Sequence, residues 1–186
     1  MRTAGKNRAK SAYVPLAHLN ECGKLCFALG EAGVLCGYTF DSYKTKDKDY
    51  EPFALDEIFT DVIGDDDISA GMKFAEAQIF SRRIANEPGC AVYPATMAEK
   101  AESLAREYGL ECDIWDEKRL VSERMGALLA VGSGSKNPPR LIHLTYKPKG
   151  TPSKKIAFVG KGITFDSGGL NIKPDNYMLT MKGDKT

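Results

Sequence analysis

Two lysines and two aspartates fall close together near the end of the chain. Lys161 and Asp166 bracket Gly162-Ile163-Thr164-Phe165, Lys173 follows, and Asp184 stands just after Met181. The stretch that delivers them, Ile156-Ala157-Phe158-Val159, is β-branched and aromatic and enters a turn rich in glycine (Gly160, Gly162, Gly168, Gly169). Ionisable groups gathered at the end of a buried strand are costly unless they pair with one another or with a metal. Carboxylate oxygens suit hard divalent cations, so Asp166 and Asp184 are candidate ligands. A lysine joins such a set only as a neutral amine, and a neighbouring dication lowers its pKa far enough to permit that. The other reading of the same residues is a Lys–Asp ion pair bracing a glycine turn. Residue types and spacing leave both readings open.

The elements upstream must position this cluster. Residues 16–35 place Leu25, Leu29 and Ala32 at helical spacing in a stretch with few charges, which predicts a buried helix. Residues 53–62 alternate apolar and acidic types and predict an edge strand. Asp65-Asp66-Asp67 can cap a helix over residues 68–85, with Met72, Ala75, Ile79 and Ile84 on its apolar side. Arg82 and Arg83 near its end suit the helix dipole, and Asn86-Glu87-Pro88-Gly89 stops it. The expected organisation is therefore an N-terminal domain over residues 1–65, a linker helix over 66–87 and a second domain over 88–186.

In that second domain Thr96, with Glu99 after it, predicts an N-cap, and the helix it opens runs to Tyr108 before Gly109. A strand over residues 110–115, a helix over 117–129, a loop from Gly132 to Pro139 and strands over 140–147 and 155–165 follow. Such alternation predicts an α/β domain with a largely parallel sheet.

Composition excludes several functions. A formal net charge of +1 argues against a dedicated nucleic-acid binder. Arg2, Lys6, Arg8 and Lys10 read as a solvated basic tail. No stretch reaches the ~18 consecutive apolar residues of a membrane span, and the first residues lack the apolar core of a signal peptide. The expected location is cytoplasmic or organellar, not secreted. The cysteines (Cys22, Cys26, Cys36, Cys90, Cys112) lack a CxxC pair and read as reduced, mostly buried thiols. Gly132-Ser133-Gly134-Ser135-Lys136 lacks phosphate-loop spacing, and Gly160-Lys161-Gly162 has no Ser or Thr after its lysine.

The run from Val159 through Lys161, Asp166-Ser167-Gly168-Gly169-Leu170 and Lys173 to Met181-Lys182-Gly183-Asp184 resembles the leucyl aminopeptidase (cytosol aminopeptidase) family, M17. Upstream, Asn86-Glu87-Pro88, the run Gly126 to Ser135 and Pro138-Pro139-Arg140-Leu141-Ile142 are similar to the same family, as is Tyr38-Thr39-Phe40-Asp41-Ser42-Tyr43-Lys44-Thr45. The resemblance covers the chain from about Leu25 onward.

It implies a partial N-terminal α/β domain, a linker helix and the first half of an α/β zinc-exopeptidase-like catalytic domain. It also implies two divalent metal ions, zinc or manganese, with Lys161, Asp166 and Asp184 as ligands and Asp166 bridging them. Lys173 would be the catalytic lysine that stabilises the oxyanion. Met181, with Lys173 and Asp184, would line the substrate pocket. The implied substrates are peptides with a free N-terminus, leucine preferred, and the implied assembly is a homo-hexamer.

The family's further carboxylates and arginine, on an Asn-Thr-Asp-Ala-Glu-Gly-Arg segment, do not occur in these residues. After Asp184 the family usually continues Met-(Gly/Ser)-Gly-Ala-Ala, where this chain has Lys185-Thr186. The expectation is an internal portion of the family sequence that is inactive alone. The alternative is a non-catalytic fragment that only associates with full-length subunits. A third reading, DNA binding as the resemblance to some bacterial family members suggests, draws only on the basic cluster at residues 2–10.

Overall fold

The computed structural model describes residues 9–18, 22–46, 55–62, 64–151 and 153–185, with only the backbone of Cys22. The chain divides into two compact units, Met1–Arg83 and Ile84–Thr186.

The first unit holds β1 (Ser11–Val14), α1 (Cys22–Cys36), β2 (Glu57–Thr60) and most of α2 (Asp65–Asn86). β1 and β2 pair in parallel, with Ser11 opposite Glu57 and Val14 opposite Thr60. Both strands alternate, so Ala12, Val14, Ile58 and Thr60 turn inward while Ser11, Tyr13, Glu57 and Phe59 stay exposed. Leu16, Cys26 and Leu29 form the buried centre, with Val14, Leu25, Ile58, Val62 and Ile68 packed around it. The turn after β1 is held by Asp61, whose Oδ1 accepts the Leu16 N–H at 2.6 Å and the Ala17 N–H at 3.0 Å. The Leu16 bond is the main cause that keeps the Asp61 carboxyl below its ordinary pKa. A cavity of about 430 Å³ borders Leu29, Gly33, Val34, Ile58, Ile68 and Met72, and gathers no set of catalytic groups.

The expected edge strand is present as β2, but its partner β1 was not legible. Residues 1–8 of the basic tail and residues 53–54 of the expected strand lie outside the described residues. The three aspartates form the first turn of α2 rather than a cap ahead of it, where their charge suits the positive end of the dipole.

The second unit continues with α3 (Pro94–Tyr108), β3 (Glu111–Trp115), α4 (Glu117–Ser122), α5 (Gly126–Gly132), β4 (Leu141–Thr145), the short α6 (Asp175–Met178) and a three-ten helix, Met181–Lys185. Thr96 is not the N-cap of α3. Tyr93 holds that place, Pro94 takes the first helical position, and Thr96 bonds back from the third. Its hydroxyl accepts the Tyr93 N–H and donates to the Ala91 carbonyl, both at 3.0 Å.

Gly109 (φ 66°) ends α3 in the left-handed region, and the Leu110 N–H closes the turn on the Ala105 carbonyl at 2.9 Å. The helix expected over residues 117–129 is split by the same device built on a different residue. Arg124 is left-handed (φ 56°), its N–H reaches the Val121 carbonyl at 3.1 Å, and the Met125 N–H reaches the Leu120 carbonyl at 2.9 Å. Ile84, Val92, Ala98, Ala105 and Leu120 are the buried apolar residues among those described in this unit.

Two further expectations are corrected. β3 and β4 are antiparallel, with Glu111 opposite Thr145 and Trp115 opposite Leu141. Residues 155–165 form no strand. A strand exists only with a hydrogen-bonding partner, and no described segment pairs with this one. Phe158 is 95% exposed and Val159 98%. The cysteines also differ from expectation, since only Cys26 is buried among the four whose side chains are described, and Cys90 is exposed.

Candidate metal centre

Residues 160–185 bring the expected groups together in two linked ion pairs. Lys161 Nζ lies 2.7 Å from Asp184 Oδ2, and Lys173 Nζ lies 3.0 Å from Asp166 Oδ2. Lys173 also approaches the Met181 sulfur at 2.8 Å, which joins the second pair to the helix that carries Asp184. The pairing is therefore not between the neighbours Lys161 and Asp166.

Asp166 shapes its own turn. Its Oδ1 accepts the Gly168 N–H at 3.0 Å, an Asx-type bond, and the Lys173 N–H closes on the Ser167 carbonyl at 2.9 Å. Gly168 is required there, because φ is +90° and a Cβ would stand 2.2 Å from the Asn171 carbonyl oxygen. Lys173, hydrogen-bonded to Asp166, holds its carboxyl below the ordinary range, the Gly168 N–H adds to this, and Lys161 contributes by charge alone. Asp166 is thus an anion with a donor set already arranged around it.

Lys161 is more than half exposed, and its partner Asp184 about a quarter. Exposed ion pairs contribute about 0–1 kcal/mol each. Stability alone gives little reason to gather these groups.

The site includes residues that sequence reasoning passed over. Lys182 Nζ donates to the Asn86 carbonyl at 3.1 Å, and Lys185 Nζ donates to the Glu87 carbonyl at 2.6 Å. Lys185 is buried, and that burial, with Lys182 beside it, pushes its ammonium pKa down while Glu87 opposes the shift. The signal available in the sequence was two lysines three apart, interleaved with Met181 and Asp184.

The donor types suit a divalent cation. Each of the two carboxylates rests against an ammonium, Asp184 against Lys161 and Asp166 against Lys173. Among the described residues, no group of three or more His, Cys, Asp or Glu side chains is placed to hold a metal.

Residues 79–186 match the model of the cytosol aminopeptidase family, catalytic domain, and the chain belongs to that family. It is 47% identical over 97% of its length to a probable cytosol aminopeptidase of Aquifex aeolicus (strain VF5), of which it spans 37%. It is 42% identical to the corresponding protein of Campylobacter jejuni subsp. jejuni, spanning 40% of it. Among solved structures, the bottromycin maturation enzyme BotP in complex with Mn superposes with a TM-score of 0.83 at 31% identity, over 99% of this chain and 38% of that one. The chain thus spans well under half the length of these relatives. No helix among the described residues is long and apolar enough to cross a membrane.

Proposed function

We propose that this chain carries part of the centre of a two-metal aminopeptidase that releases N-terminal residues, leucine preferred, from peptides. The observation that carries the reading is the convergence of Lys161, Asp166, Lys173 and Asp184 into two ion pairs joined through Met181. Asp166, Asp184 and Lys161 would hold the metal, zinc or manganese, Asp166 and Asp184 through carboxylate oxygens and Lys161 through its amine. Manganese in the BotP structure and the family match support that choice.

When bound, the ions would act as Lewis acids on the scissile carbonyl and lower the pKa of water. The chain's own residues do the rest. Lys161 must give up its proton to present a lone pair, and a nearby dication favours that loss. Lys173 keeps its proton and presents an ammonium where negative charge develops on the carbonyl oxygen. Met181 and Asp184 line the pocket that receives the substrate's first residue and its free amine. The proposed assembly is a homo-hexamer and the proposed location is cytoplasmic; the relatives' description as cytosol aminopeptidases supports the location alone.

The chain alone should hydrolyse no leucine amide, because the family's further carboxylates and arginine do not occur in these residues. The contrary reading, ion pairs that only brace the turn, is favoured by one observation, that each lysine is already paired. Titration with Mn²⁺ decides between them. We expect weak but saturable binding that is lost in Asp166→Ala, Asp184→Ala and Lys161→Arg, since guanidinium offers no lone pair near neutral pH. Equal heats across parent and variants would leave the bracing reading in its place.

A further inference from the structure

A three-ten helix turns once every three residues, so side chains at i and i+3 eclipse. In Met181–Lys185 this period sorts the residues into two working rows. Met181 and Asp184 form one row and face the charged cluster, at 2.8 Å from Lys173 Nζ and 2.7 Å from Lys161 Nζ. Lys182 and Lys185 form the next row, a third of a turn away. They reach the far end of α2, where Lys182 meets the Asn86 carbonyl and Lys185 the Glu87 carbonyl.

A helix C-terminus leaves its last carbonyls without intrahelical partners and favours cations. The two lysines supply both needs. Lys185 is only 3% exposed, a rare state for a lysine, and its ammonium meets a backbone oxygen at 2.6 Å there. The same short turn also backs the other half of the cluster. A Cβ at Gly89 would stand 3.1 Å from Cβ of Phe165, the residue before Asp166. One turn at the end of α2 therefore touches both chain segments that carry the candidate ligands.

A five-residue three-ten helix is short and its hydrogen-bond geometry is poorer than an α-helix's, so side-chain anchors bear on where it sits. We propose that Lys182 and Lys185 are positioning residues, a clamp that ties the three-ten helix to the Asn86 and Glu87 carbonyls and so sets Asp184 at Lys161 and Met181 at Lys173. The inference rests on reading Asp184 as a metal ligand. Outer partners of this kind typically govern metal affinity by about 10–100-fold.

The test compares Lys182→Met, Lys185→Met and Lys182→Arg with the parent chain and with Asp184→Asn. Amide hydrogen exchange without metal reads residues 161–168 and 181–185, and Mn²⁺ titration reads affinity. We expect both methionine variants to lose exchange protection in residues 181–185. Lys182→Met should also weaken Mn²⁺ binding about 10-fold or more with little change in melting midpoint, while Lys182→Arg, which keeps its donors, should stay near the parent.

Unchanged protection in both methionine variants overturns the clamp. So does lost protection with unchanged Mn²⁺ affinity, and so does an arginine variant as weak as the methionine one. A parent that binds no Mn²⁺ sinks the metal reading instead. In that case the exchange data alone support or overturn the anchoring.

Discussion

Residues 94–145 and residues 154–185 lie in the same unit and are held by different physics. In the first stretch, capped helices and a paired strand ladder bury Ala98, Ala105 and Leu120, and both helix ends close by backbone bonds. In the second, the apolar side chains of Ile156, Phe158, Val159, Leu170 and Ile172 are exposed, and its one buried side chain among the described residues is the cation Lys185. Order there comes from side chains meeting charges and carbonyls. Backbone elements thus make the frame, and a network of ionic contacts makes the candidate site.

That contrast predicts that damage to the two stretches appears in different measurements. The largest effect belongs to Lys173. With residues 79–185 placed in the corresponding segment of an active relative, Lys173→Ala should lower kcat about 10²–10³-fold, while metal content and melting midpoint stay near the parent. Loss of metal together with rate would move Lys173 into the coordination shell. Next comes Leu120, which is fully buried. Leu120→Ala should cost about 2–5 kcal/mol by denaturant unfolding of the present chain. A cost near zero would mean that the first stretch is not the packed one.

Gly109→Ala tests the helix end, where the left-handed backbone suits glycine. It should destabilise by about 1 kcal/mol. Arg124→Gly, at the equivalent place in α4, should not destabilise comparably, because it relieves a strained residue. If both substitutions shift the midpoint equally downward, the two closures are not alike.

The acid limb of stability is smaller in reach. The Asp166 carboxyl is depressed below its ordinary pKa, so its contribution is present above the unfolded value of about 3.9 and is lost as pH falls through the folded value. In metal-free buffer the parent's melting midpoint should therefore fall more steeply below about pH 4 than that of Asp166→Asn. Parallel curves would remove Asp166 from the ionic network. The smallest effect falls on Phe158, which is almost fully exposed. Phe158→Ser should change stability by no more than about 0.5 kcal/mol, and a core-sized loss would show that this segment is packed in solution.

Local signals were legible where the physics is local. The stop at Gly109 depends on one residue's freedom at positive φ, and the end of α2 beside Pro88 depends on a missing donor. The break at Arg124 used the same hydrogen bonds without glycine and so left no mark in the sequence. The sequence marks Thr96 as a capping residue but not its position, since a hydroxyl can serve the N-cap amide from within the first turn. The strand-like run at residues 155–165 misled because β-propensity describes a fit to neighbours, not a conformation a segment holds alone.

By itself, the sequence determined which side chains could form the candidate site, because the carboxylates of Asp166 and Asp184 and the amines of Lys161 and Lys173 are the donor types such chemistry needs. It also determined the helical segments, whose hydrogen bonds run between near neighbours. Only the tertiary structure decided the partners. Lys161 pairs with Asp184 and Lys173 with Asp166, β3 runs antiparallel to β4, and Lys182 and Lys185 reach carbonyls at the end of α2. Those choices depend on contacts between residues distant along the chain, and no local propensity encodes which distant group will be there to meet them.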